Sequence, residues 1–293
     1  MTRAALIGVV ALFVAGASPS HAQRTVPSPI VGVTFDNVSK VAAKVTALSN
    51  IAKFPTLRVV FDAGTSPSDY SGALQKFRPV SYIMGELVDS SYMQQYSVSG
   101  AQSWAMKYAN ALWPLVDIWE IGNEINGDWL GANAFAKMAA MFDVIYARGG
   151  KTALTFFYEG EKSERGNCID NEGGMFPWIA RYFDGSPEAE KIRLHLDYVL
   201  ISWYPSQCKG ENPEWVTVFT KLAGIFPNSK VGFGELGTPR PQRGSAYEKN
   251  LISTYYPMGK TVPGLPPSYV GGYFWWYGSQ EFVPWPGSLS TAT

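Results

Sequence analysis

Along the chain, short uninterrupted apolar runs alternate with longer stretches in which apolar residues recur every three or four positions. Eight short runs can be counted: Ile30 to Phe35, Thr56 to Phe61, Val80 to Met84, Val116 to Ile121, Thr152 to Phe157, Tyr198 to Trp203, Lys230 to Phe233 and Gly272 to Trp276. Their β-branched and aromatic content and brevity predict strands buried on both faces, as in a parallel sheet covered by helices. Between them, Val38 to Val45, Ala101 to Leu112, Ala134 to Ala147 and Glu214 to Phe226 carry the helical spacing. Eight such units predict an α/β fold, a single (β/α)8 TIM barrel over residues 23–293. A doubly wound nucleotide fold would show a Gly-rich phosphate turn after its first strand, and neither GxGxxG nor GxxxxGK[ST] occurs there. The Pro/Gly-rich stretches, Gly237 to Gly244 and Thr261 to Ser268, sit beside strands and read as barrel loops, not as linkers between domains.

The N-terminus breaks this rhythm. Arg3 is followed by an apolar run from Ala4 to Ala15 and by Ser20-His21-Ala22. One positive charge, an apolar stretch too short to span a bilayer, and small residues before a cut after Ala22 predict a secretory signal peptide over residues 1–22. The mature protein is expected to be secreted or periplasmic, with no membrane association after signal removal. In such an oxidising compartment the chain's two cysteines, Cys168 and Cys208, are expected to form a disulfide. They follow the fifth and sixth strands, so the bridge would tie neighbouring loops at the C-terminal rim.

Charge narrows the partners: 24 Lys+Arg balance 24 Asp+Glu, which leaves no basic footprint for nucleic acid. Of two histidines, His21 leaves with the signal peptide and His195 lies in a segment leading into a strand, far from the chemical end of a barrel. Histidine-based nucleophilic catalysis is thereby weakened, and two cysteines without a histidine cluster cannot complete a zinc site. No metal and no cofactor is expected. The chain is rich in aromatic residues, with 10 Trp, 16 Tyr and 16 Phe. A G-x-S-x-G elbow, which an esterase needs, is absent.

In a barrel, reactive groups stand at the C-terminal ends of strands. Trp119-Glu120-Ile121-Gly122-Asn123-Glu124 puts Glu124 just past the fourth strand, and Val231-Gly232-Phe233-Gly234-Glu235 puts Glu235 just past the seventh. Two carboxylates facing one cleft are the minimum equipment for glycoside hydrolysis. The plainer readings are a helix-start acid for Glu124 and a rim ion pair with Arg240 or Arg243 for Glu235. Asp36, Glu86 and Glu159 also fall near strand ends, as substrate contacts or solvated charges.

WEIGNEIN from Trp119 to Asn126, together with GELG around Glu235, resembles the clan A glycoside hydrolases, retaining (β/α)8-barrel enzymes. The resemblance implies Glu124 as general acid/base and Glu235 as nucleophile. It further implies substrate-site roles for Asn123, for Arg58 on the second strand, for Tyr204 after the sixth and for Trp276 ending the eighth, with Trp275 as the competing tryptophan. Trp203 is expected beside the substrate, as is Glu86, and Trp129 and Trp178 are further candidate sugar platforms. Gly122 and Ile125 stand where the family often has a bulky residue and a proline, which bears on the shape of the subsites. The expected substrate is a β-linked glycan, a polysaccharide or its oligomers, cleaved in endo fashion by a monomer. Two other outcomes keep the same barrel: a transglycosylase, or a non-catalytic carbohydrate-binding protein.

Overall fold

The computed structural model describes residues 23–159, 174–206 and 211–285. The strands are β1 (Ile30–Phe35), β2 (Thr56–Val60), β3 (Tyr82–Glu86), β4 (Ile118–Gly122), β5 (Thr152–Phe157), β6 (Tyr198–Trp203), β7 (Lys230–Leu236) and β8 (Tyr269–Trp275). They pair in chain order, all parallel, and β1 closes on β8 to complete an eight-stranded barrel. Around it lie α1 (Val41–Ser49), α2 (Pro67–Phe77), α3 (Val98–Leu112), α4 (Ala134–Tyr146), α5 (Met175–Tyr182), α6 (Pro187–His195), α7 (Trp215–Ile225), α8 (Ala246–Tyr255), α9 (Met258–Thr261) and α10 (Gly278–Glu281). This is the TIM barrel that the alternating pattern predicts. Among the described residues, no helix is long and apolar enough to cross a membrane.

Local chemistry sets where the helices begin. Ser66 and Asp69 cap each other's backbone at the start of α2, with Pro67 in the first turn. Ser97 accepts from the Gly100 amide at 3.0 Å to start α3, and Ser245 accepts from Glu248 at 3.0 Å to start α8. The start of β3 falls two positions later than the apolar run suggests. The Val80 amide and the Ser81 hydroxyl both bond back to the Phe77 carbonyl, so the chain is still closing α2 at that point. Glu86 consequently lies inside β3 rather than beyond it.

Two kinds of apolar surface hold the barrel. Outward strand residues such as Val33, Leu57, Ile83, Trp119, Phe156, Ile201 and Phe233 are buried in the large core cluster that also contains helix residues such as Leu74, Tyr108, Phe142 and Phe219. Inside, Ile30, Met84, Ile118, Ala153, Leu200 and Phe274 form a separate apolar plug, closed from below by Val26. Beside Val26, Arg24 forks onto Asp117 at 2.9 and 2.6 Å and binds the carbonyls of Arg78 and Ser81. Above the plug the interior changes character. Arg58, Glu86, Glu120, Thr155 and Glu235 are all buried and meet one another at the C-terminal mouth.

Candidate active site

Three of the strands that feed the mouth carry an extra residue. On β4, Glu120 pairs with Ala153 but Gly122 pairs with Leu154; on β7, Phe233 pairs with Ile201 but Glu235 pairs with Ser202. On β8 the register against β1 also slips by one between Gly272 and Trp275. Such bulges re-aim the side chains that follow. At β7 the extra residue is Gly234, where an added Cβ would stand 2.5 Å from the Thr155 hydroxyl. Only glycine fits there, and the bulge brings Glu235 toward the interior, where an unbroken alternation would face it toward the helices.

Past β4 the chain turns sharply. Glu124 adopts a left-handed backbone with φ 48, a sparsely populated conformation for a side-chain-bearing residue. Neighbours hold it there: the Ile125 amide bonds to the Thr155 carbonyl at 3.1 Å, and the Gly127 amide to the Glu124 carbonyl at 2.8 Å. Asn126 clamps the turn to β5 by donating to the Phe157 carbonyl at 2.9 Å and accepting from its amide at 2.7 Å.

The two glutamates receive different donors. Glu124 accepts from the Ser90 hydroxyl at 2.9 Å and the Ser202 hydroxyl at 2.7 Å. Glu235 accepts from Arg58 Nη1 at 2.8 Å and from the Tyr204 hydroxyl. Arg58 is fully buried; it also grips Glu120 through Nε at 2.6 Å and Nη2 at 3.1 Å, and its guanidinium lies 5.6 Å from the Trp276 ring. Burial works against that charge, but the neighbouring carboxylates, Glu120 first among them, outweigh it and hold Arg58 protonated. Burial and the nearby carboxylates keep Tyr204 protonated as well, so its hydroxyl remains a donor.

Burial and the charge of Glu124 push Glu235 up to about 8, against the opposing pull of Arg58 and Tyr204. Burial raises Glu124 too, and its bonds from Ser202 and Ser90 offset part of the rise. Charge on Glu124 thus opposes charge on Glu235, and the pair favours holding one proton between them. Their donors decide where it sits. Charge-assisted bonds from a guanidinium favour the anion at Glu235, whereas serine hydroxyls can equally turn and accept from a protonated Glu124.

Both glutamates line a cleft of about 400 Å³, with Asp89, Ser90 and Asn123 on one side and Tyr204, Trp276 and Tyr277 among the rest. The Asn123 side-chain amide oxygen Oδ1 is buried with no hydrogen-bond partner among the described residues, an acceptor open to a ligand hydroxyl. Trp129 also lines the cleft, set edge-on against Phe157. A cavity of about 500 Å³ opens near the N-terminal ends of β1 and β8, beside Lys53, Tyr256 and Lys260, but among the described residues no carboxylate lines it.

Asn123, Glu124, Trp129, Tyr204, Glu235 and Trp276 line this cleft, Arg58 stays buried behind Glu235, and other expected residues face elsewhere. Trp203 is a correction: Ser202 takes the inward position, so Trp203 points outward, packs on Tyr158 and Trp215, and donates to the Tyr255 hydroxyl at 2.7 Å. Glu86 is the second: fully buried within β3, it sits against Arg58 and does not line the cleft. Trp178 is likewise buried, against Phe156 and Tyr182. Trp275 turns outward and bonds to Glu281, which leaves Trp276 as the tryptophan at the cleft. Asp36 accepts from Gln280 at 2.6 Å. His195 ends α6 on the surface, its ring beside Tyr146. Ser90, Ser202 and Asn126 were not read from the sequence; Ser202 alone left a sign, as a polar residue interrupting an apolar strand. Cys168 and Cys208, and the segment 1–22, lie outside the described residues.

No protein-family model matches the sequence, and no curated protein matches it. Solved structures match in shape. Saccharomyces cerevisiae Gas2p in complex with laminaritriose and laminaritetraose superposes with a TM-score of 0.53 at 13% identity, over 88% of this chain and 61% of that one. Gas2p with laminaripentaose gives 0.52 at 15% identity, over 88% and 58%. A Glu-to-Gln variant of Gas2p with laminaritetraose and laminaripentaose gives 0.53 at 15%, over 85% and 56%. The chain therefore spans about three fifths of the length of these proteins, and at such identity the likeness is one of fold.

Proposed function

We propose that the protein is a retaining glycosidase acting on β-linked glycans, with Glu235 as nucleophile and Glu124 as general acid/base. The observation that carries this reading is the unequal pair in one cleft: Glu235 tied to a guanidinium and a phenol, Glu124 to two serine hydroxyls. A charged attacker beside a proton-holding acid is what double displacement requires. Glu235 attacks the anomeric carbon while Glu124 gives its proton to the departing oxygen. Forming the ester removes the Glu235 charge, so Glu124 loses the neighbour that favoured its proton. Left as a carboxylate by that proton transfer, Glu124 takes a proton from the incoming water or sugar hydroxyl as its oxygen attacks the anomeric carbon, the ester bond breaks and Glu235 leaves as the carboxylate. Asn123 is suited to a hydroxyl next to the reacting carbon, and Trp276 and Trp129 offer apolar faces to sugar rings.

The laminari-oligosaccharides bound by Gas2p make β-linked glucans of that series the first substrates to try. We further read the protein as a secreted or periplasmic monomer with a Cys168–Cys208 bridge, on the sequence signals alone. The decisive experiment incubates the purified protein with activated 2-deoxy-2-fluoro glycosides, including laminari-type oligosaccharide probes, followed by intact-mass measurement and peptide mapping. A covalent adduct on Glu235 is expected, and Glu235→Ala should abolish hydrolysis while keeping the fold. Near-normal hydrolysis by a clean Glu235→Ala preparation would sink the assignment. Binding of the glycans with neither adduct nor turnover would favour a carbohydrate-binding barrel. Product analysis with an added acceptor separates hydrolysis from transglycosylation.

A further inference from the structure

One guanidinium faces three buried carboxyl groups at the barrel mouth, and they are served unequally. Glu120 takes a two-nitrogen fork from Arg58 and the Thr155 hydroxyl. Glu235 takes Nη1 and the Tyr204 hydroxyl. Glu86 has only proximity: its Oε2 lies 3.1 Å from Nη2, the nitrogen already bonded to Glu120, and neither of its oxygens meets an aligned donor among the described residues. The groups facing it are Arg58 from β2, Glu120 from β4, Glu235 from β7 and Asp89 just beyond its own strand. Three of these four are acids. A fully buried carboxylate with no aligned donor is costly, whereas the protonated acid needs no counter-charge.

We propose that Glu86 is a positioning residue, held as the neutral acid through the working pH range, which leaves Arg58 to be shared by Glu120 and Glu235 alone. The proposal rests on the reading of Glu235 as nucleophile. Burial and the surrounding acids raise Glu86 well above the ordinary carboxyl range in spite of Arg58, in accord with the donor census. An ionised Glu86 would draw Nη2 toward itself, turn the guanidinium and weaken the Nη1 contact that keeps Glu235 charged. Neutral Glu86 instead fills the space behind Arg58 and fixes the plane of its fork.

Two variants and one spectrum test this. Glu86→Leu removes the polar wall, and kcat is expected to fall about tenfold with KM little changed, since Arg58 supports the charge on the attacking group and not substrate binding. Glu86→Gln has the shape of the neutral acid and is expected to restore kcat, with both limbs of the pH profile where the parent has them. Glu86→Met replaces the leucine variant should that protein not fold. Without any substrate, the infrared difference between the parent and Glu86→Gln at neutral pH should show the loss of one carboxylic-acid carbonyl stretch. Loss of carboxylate bands instead, or a shift of both pH limbs to lower values in Glu86→Gln, would mean that an anion had been removed and would overturn the proposal. A glutamine variant that cannot fold, or a leucine variant as active as the parent, would also overturn it. If the parent turns over no glycan, the proposed reaction fails, while the spectrum still decides the protonation of Glu86.

Discussion

Ser90 and Ser202 suit a carboxyl group that must change state. A hydroxyl donates to a carboxylate and accepts from a carboxylic acid, so the pair fits Glu124 on both sides of a proton transfer. Arg58 can only donate and fits Glu235 in one state. Ser202→Ala removes one donor from ionised Glu124, so Glu124 moves up and becomes harder to ionise for the second half of the reaction. The expected result is kcat lower by about tenfold on an activated aryl glycoside, with the alkaline limb displaced upward. A pH profile identical to the parent's would remove Ser202 from this role. Asn126 serves geometry instead. Asn126→Ala strands the buried Phe157 amide and carbonyl, at a cost on the order of 2 kcal/mol in urea unfolding, and frees the left-handed turn at Glu124.

At the scale of elements, the site is a product of register. Each of β4, β7 and β8 gains a residue in its pairing, and the site residues Glu124, Glu235 and Trp276 lie beyond or at those slips. Gly234 gives the sharpest test. In Gly234→Ala the new Cβ would stand 2.5 Å from the Thr155 hydroxyl and 2.8 Å from the Leu200 Cβ, so β5 and β6 must yield. We expect a stability loss of about 1–3 kcal/mol, typical of overpacking, in denaturant titration. Activity should fall further than stability does, because Thr155 also holds Glu120 and through it Arg58. A variant that loses stability but keeps full kcat would separate the bulge from the alignment of Glu235.

For the whole molecule, the buried acids set how stability follows pH. Burial holds one proton on the Glu124–Glu235 pair, with Glu235 pushed up to about 8, and burial together with neighbouring Glu248 pushes Glu281 up to about 7, from an ordinary 4.5. Between the ordinary and the raised values the folded chain keeps protons that the unfolded chain has released, so raising the pH favours unfolding. This contribution is complete below about pH 4.5 and is lost as pH rises through 7 and 8. Lys44 acts in the opposite direction: burial lowers it from 10.5 to about 8, so some stability returns between those values. Calorimetry across a buffer series should show the melting temperature falling from mildly acidic pH toward pH 8, and Glu281→Gln should flatten the part of the slope around 7. A melting temperature that rises over this range would contradict the inward placement of the proton-sharing pair and of Glu281. By itself the sequence determined the eight-unit barrel and the two strand ends that bear Glu124 and Glu235, because strand and helix periodicity are local and survive without any tertiary contact. Which residue of a neighbouring pair faces inward was decided by the tertiary structure. A strand alternates sides at every residue, so one extra residue in β7 reverses the outcome. Trp203 accordingly packs under the helices, Ser202, a small polar residue in an apolar run, faces Glu124, and Glu86, still inside β3, meets Arg58 in the interior.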